Sequence, residues 1–213
     1  MIENKNKIFR RLLERYPELK IIEDQIITAG EILKNASFAG KKILVCGNGG
    51  SAADADHIAG ELLKSFRKKR QIDAKISENL IKLDNDAGTE IAAKLQGGVQ
   101  TINLTNHTAL STAFGNDVDP YLTFAQQCHV FGKEGDVFWG ISTSGNAKNV
   151  YSAALVAKAQ GLKLIGMTGK DGGKLKTICD VCITVPRIET YEVQELHIPV
   201  YHALCLYIED NLW

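Results

Sequence analysis

The sequence predicts an α/β protein: a three-layer α/β/α sandwich around a five-stranded parallel sheet, with a helical extension over residues 1–39 ahead of it. Three observations carry this. Five short apolar runs, at 43–46, 99–104, 137–141, 163–167 and 181–185, have the length of buried strands. Helical stretches follow most of them, and such alternation implies parallel strands joined by right-handed crossovers. A chain of 213 residues can build one such domain with a full core.

Residues 4–39 read as helical, with Ile22, Ile26, Ile27, Ala29, Ile32 and Leu33 at helical spacing and Pro17 placed to open a second helix. After the first strand, Gly47-Asn48-Gly49-Gly50 turns the backbone, and Ser51 reads as the N-cap of an alanine-rich helix. Arg67, Lys68, Lys69 and Arg70 read as a solvated face. Two short helices, over 76–83 and 91–95, fill the segment 68–98 around Asp84-Asn85-Asp86. Beyond the second strand come a helix over 108–114, ended by Gly115-Asn116-Asp117, and another over 121–130. The third strand leads through Ser142-Thr143-Ser144-Gly145-Asn146 into a helix over 147–160. The fourth ends in the loop 168–173, and after the fifth a helix over 189–212 carries Pro199, which can bend it.

Basic and acidic residues balance at 25 each, leaving no electrostatic footprint for nucleic acid or a membrane surface. The first residues are polar and charged, unlike a secretory signal, and no apolar run reaches membrane length. Five cysteines, an odd number, suit reduced thiols in a cytoplasm, and the Cys179-x-x-Cys182 spacing lacks the second pair a zinc site needs.

Strand, glycine turn and helix N-terminus together aim free N–H groups at one point, which suits a phosphate. The turn after residue 46 lacks the Gly-Lys-Ser/Thr of a P-loop and the spacing of a dinucleotide fingerprint. The hydroxyls of Ser142, Thr143 and Ser144 follow a second strand, and can accept phosphate without a lysine. His57 and Glu61 lie i, i+4 on one helix face, and Gln194, His197 and His202 share the last helix. Such a His/Glu mixture suits zinc. Helical spacing does not choose between His197 and His202.

The strings CGNGGSAADADHIAGEL, GISTSGN, TGKDGGK and VQELHIPVYH resemble the sugar isomerase (SIS) domain family, and within it the bacterial phosphoheptose isomerases, which convert sedoheptulose 7-phosphate to D-glycero-D-manno-heptose 7-phosphate. The resemblance covers the chain from about residue 35 onward, and makes residues 40–213 the SIS domain. It implies a homotetramer with active sites between subunits, and a zinc ion held by His57, Glu61, Gln194 and His202. It also selects His202 over His197, and assigns sugar or phosphate contacts to Asn48, Gly49, Gly50, Ser51, Asn116, Asp117, Ser142, Thr143, Ser144 and Gln194.

The implied chemistry is aldose–ketose isomerisation, with Glu61 as base and His202 as acid. Three positions depart from the family pattern: Ala147 replaces a serine, 68–98 is longer, and Tyr191-Glu192 replaces an Asp-Arg pair. The alternatives are an isomerase of another sugar phosphate and a non-catalytic SIS protein of the replication-initiator-associating type. That second class generally lacks the Glu61 and His202 combination. A sugar-phosphate-sensing regulator would need a DNA-binding helical domain, which is not seen in this sequence.

Overall fold

Strands apolar on both faces need cover on both sides, and here they receive it. The computed structural model describes residues 7–213, so the predicted helical residues 4–6 lie outside the described residues. The sheet has the order β2-β1-β3-β4-β5, all parallel, from β1 (Ile43–Cys46), β2 (Thr101–Asn103), β3 (Val137–Ile141), β4 (Lys163–Thr168) and β5 (Val181–Thr184). Every residue of β1 and β3 is buried.

Side chains alternate between the faces along each strand. Ile43, Val45, Val137, Trp139, Ile165 and Ile183 join one core with α1 (Lys7–Arg15), α2 (Glu23–Phe38), α3 (Gly50–Leu63) and the long α10 (Thr190–Leu212). Leu44, Cys46, Phe138 and Leu164 join the other with α7 (Thr123–Phe131), α8 (Lys148–Ala159) and α9 (Gly173–Ile178). The N-terminal helices are therefore part of a domain face, with Phe9, Leu12, Ile26 and Leu33 inside the first core.

Several boundaries differ from the sequence reading. A 3-10 turn at Pro17–Ile22 separates α1 from α2. Ser51 is not an N-cap: the helix already begins at Gly50, its N-cap is Gly49 at φ 55, and Ser51 is buried in its first turn. Helix α6 (Thr108–Asp117) runs through Gly115, because one glycine costs a helix only about 1 kcal/mol and its last turns stay bonded. The 3-10 turn Pro120–Leu122 opens the predicted 121–130 helix. Helix α9 escaped the sequence reading because its start lies in the glycine run 172–173. Helix α10 continues through Pro199, held by Val193, Val200, Tyr201 and Leu204 in the core.

The basic run is a further correction. Arg70 is 1% exposed, because a carboxylate and two carbonyls replace its water. The segment that follows is a helical hairpin, α4 (Ala74–Leu83) and α5 (Asn85–Lys94), turned on Asp84, which accepts N–H bonds from Asp86 and Ala87. Its helices cross closely at Gly88, where a Cβ would meet the Leu80 carbonyl at 2.1 Å. It stands off the core with no buried residue in α4 and with Leu83 85% exposed. Among the described residues no helix is long and apolar enough to cross a membrane.

Candidate active site

Strand β1 has β2 on one side and β3 on the other, so successive crossovers leave the sheet in opposite directions there, and ligands of such sheets bind beyond that point. The loops after β1 and β3 line a cavity of about 360 Å³ with Asn48, Gly49, Gly50, Ser51, Ser142 and Thr143. Ser144, Ala147, Thr190 and Gln194 complete its wall. Two helices begin at it, α3 and α8, and neither has a side-chain cap bond on its N-cap residue. Both N-termini, with their partial positive charge, lie at this cavity; the Ser51 and Ala52 N–H groups are bonded to the Asn48 and Gly49 carbonyls, and the Val150 N–H to Asn149 Oδ1. Lysine does not line it; Lys148, at the start of α8, lies 4.2 Å from the Tyr121 ring centroid.

The loops are locked to each other. Asn48 and Asn149 exchange amide hydrogen bonds of 2.9 and 2.8 Å, so the first loop is tied to the first turn of α8. The Ser142 and Ser144 hydroxyls accept N–H bonds from Ala147 and Asn146 at 3.4 and 3.2 Å, which leaves each hydroxyl proton to donate elsewhere. Gly50 packs against Gln194: a Cβ there would meet its Nε2 at 2.4 Å and push the amide end aside.

Further along α3 and α10 lies a second group. His57 Nε2 is 3.3 Å from Glu61 Oε1 and 3.4 Å from His202 Nε2, while Glu61 Oε2 is 3.3 Å from Lys64. The Tyr201 hydroxyl lies 2.9 Å from His57 Nδ1. Accepting from Nδ1–H would leave the Nε2 lone pair aimed at Glu61 and His202. Burial pushes Asp54 up to about 6 against the pull of His57 and Tyr201. Burial, helped by His57, lowers His202 below the usual histidine value. A cavity of about 420 Å³ between α1 and α10, lined by Arg11, Arg15 and Arg67, reaches His202 from the other side.

A sequence profile of the SIS domain matches residues 7–87 and 89–169. The phosphoheptose isomerase of a Nitratiruptor species is 41% identical over 186 residues, which cover 87% of this chain and 86% of the relative. The solved phosphoheptose isomerase of Neisseria gonorrhoeae superposes with a TM-score of 0.73 at 32% identity, over 95% of both chains. That of Francisella tularensis gives 0.74 at 27% identity, over 95% and 94%. The chain belongs to the SIS domain family.

In this SIS-domain protein, His57, Glu61 and His202 form one group, whereas Gln194 lies with the phosphate-type loops against Gly50. Eight residues of helix separate Gln194 from His202, about 12 Å along α10. Among the described residues no three His, Cys, Asp or Glu side chains are gathered so as to hold a metal ion, since the observed contacts are pairs through His57. Asn116 and Asp117 bond each other at the end of α6, exposed and outside the cavity wall. Thr190, Asn149, Tyr201 and Asp54 escaped the sequence reading; only Asn149, three residues past Asn146 at the start of a helix, carried a local signal.

The helix also separates its two histidines. His202 faces α3, while His197 is fully buried and burial holds it down to about 4, so it stays neutral. An unfolded chain binds that proton near 6.5, so His197 contributes stability above pH 6.5 that is lost as pH falls toward 4. The loss is about 3 kcal/mol. Urea unfolding of wild type and His197→Leu between pH 7 and pH 4 should show that portion of the acid loss in wild type alone.

Proposed function

We propose that this SIS-domain protein is a phosphoheptose isomerase, interconverting sedoheptulose 7-phosphate and D-glycero-D-manno-heptose 7-phosphate. One observation carries the reading: two helix N-termini converge on a lysine-free cavity, and the same helix α3 brings His57 and Glu61 to His202 farther along. The phosphate is received by Ser142, Thr143, Ser144 and the turn Asn48 to Ser51, through neutral donors and helix dipoles. The carbon chain then runs along α3 and α10 to Glu61 and His202. A stretch of about 12 Å along α10 favours a long sugar over a triose or tetrose.

Glu61 takes the proton from C1 of the ketose as the His202 N–H gives its proton to the C2 oxygen, forming the enediol. The C1 hydroxyl then returns a proton to His202, and Glu61 delivers its own to C2, leaving the aldose. Phosphate held far from the reacting carbons supplies orientation. Lys64 Nζ stands 3.3 Å from Glu61 Oε2, on the side away from His57.

Zinc suits the donors His57, Glu61 and His202. The resemblance implies Gln194 as a fourth donor, whereas its side chain lies against Gly50, apart from these three. When bound, the ion would polarise the sugar carbonyl and steady the enediolate. A homotetramer is supported by large apolar side chains left on the surface, among them Phe38, Val130, Leu155 and Ile188. It is also supported by Asn116 and Asp117, which stand clear of this chain's own cavity, free for a neighbour's. Five free thiols support a cytoplasmic setting, and balanced charge argues against a nucleic-acid partner.

The test is an assay of the purified protein with sedoheptulose 7-phosphate. The aldose phosphate should form, the rate should fall on chelation and return with zinc, and light scattering should give a mass four times the 23.3 kDa of one chain. Phosphosugar bound without turnover would move the reading to a binding protein.

A further inference from the structure

We infer that Arg70 and Glu209 form a buried clamp that positions both Glu61 and His202 without touching the sugar, a role that rests on the isomerase reading above. The two side chains are 0% and 1% exposed, with Arg70 Nε donating to Glu209 Oε1 at 2.9 Å. The other arms of the guanidinium reach the end of α3: Nη1 donates to the Leu62 carbonyl at 2.9 Å and Nη2 to the Glu61 carbonyl at 3.0 Å. These are among the last carbonyls of a helix ending at Leu63, which lack partners within the helix and carry its partial negative charge. A cation there holds the turn from which the Glu61 side chain projects. The Leu62 carbonyl also accepts the Val99 N–H at 2.8 Å, which ties that turn to the chain entering β2.

Glu209 does the same for the acid. Its carboxylate accepts the backbone N–H groups of Phe66 and Arg67, both at 2.9 Å, and so folds the loop after α3 back over α10. That fold sets the Phe66 ring 5.7 Å from the His202 ring, as one wall of the imidazole's position. Trp213 covers the guanidinium at 4.8 Å. One ion pair thus holds the backbone under the base and the ring beside the acid. Three donors on three different acceptors require the planar arginine fork, which a lysine point charge does not reproduce.

A purely structural role predicts something different. Buried ion pairs are often no more stabilising than a neutral pair of similar size, so Arg70→Met/Glu209→Gln should fold, with the glutamine carbonyl still accepting from the loop. Its kcat for sedoheptulose 7-phosphate should fall about 10²-fold, the cost of misplacing reacting groups by about 1 Å. KM should stay within about twofold, because the phosphate loops are untouched. Arg70→Lys, which keeps the charge, should lose most of the same kcat and serves where the double variant does not fold. Either folded variant with wild-type kcat would overturn the clamp, as would a fall carried by KM. Wild type without turnover would overturn the isomerase reading and the clamp together.

Discussion

Replacing Glu61 by Gln is expected to reduce turnover about 10²–10⁴-fold, the range for removing a positioned proton acceptor, while the phosphosugar still binds. The change is nearly isosteric, and Glu61 lies on the last turn of α3, far from the cavity loops at its start. One oxygen faces His57 and the other Lys64, each at 3.3 Å, so the amide can fill the same space. It cannot take a proton from carbon. Steady-state kinetics with calorimetric titration of sedoheptulose 7-phosphate separates the two effects. Wild-type turnover in Glu61→Gln would remove it as the base.

Gly145→Ala is expected to raise KM by about 10²-fold and to cost stability by about 1–3 kcal/mol, the range for a residue forced into a strained backbone region. Gly145 sits at φ +67 in the Ser142-to-Ala147 loop, and an added Cβ would lie 2.0 Å from the Gly172 carbonyl oxygen and 2.9 Å from the Gly173 nitrogen. Both contacts are backbone, so no side chain can swing aside. Relief requires the loop to part from the one after β4, which moves Ser142, Thr143 and Ser144 off the two helix N-termini. Their loss should appear in substrate binding more than in proton transfer. KM from initial rates and the urea midpoint test this, and wild-type values of both would show that the loop relaxes without cost.

Much of the fold was legible because its signals are local. The runs at 43–46, 137–141 and 163–167 are continuous apolar stretches, and they became β1, β3 and β4 almost residue for residue. The two glycine–hydroxyl turns were legible as turns for the same reason, since glycine's backbone freedom acts locally. What failed was local chemistry overruled by packing. Arg70 stood in a basic run that looked solvated, and its burial depends on Glu209, 139 residues away. Helix α9 hid behind two glycines, and α6 ran past a glycine that looked like its end.

The last helix shows the same division within one element. Its sequence offered His197 and His202 with no geometric ground for choosing, as each is displaced from Gln194 around the axis by a comparable angle. Packing decided: α10 lies in the first core, so His197 is buried, and His202 is left facing α3.

The parallel α/β architecture and the two glycine–hydroxyl turns were set by the sequence alone, because strand burial, helix starts and backbone freedom are written in neighbouring residues. Only the tertiary structure decided that both turns meet at the β1–β3 switch point, that His57 touches both Glu61 and His202, and that Arg70 and Glu209 close over the end of α3. Those contacts join residues up to 145 positions apart. Their partners are chosen by strand order and helix packing, which no stretch of the chain specifies alone.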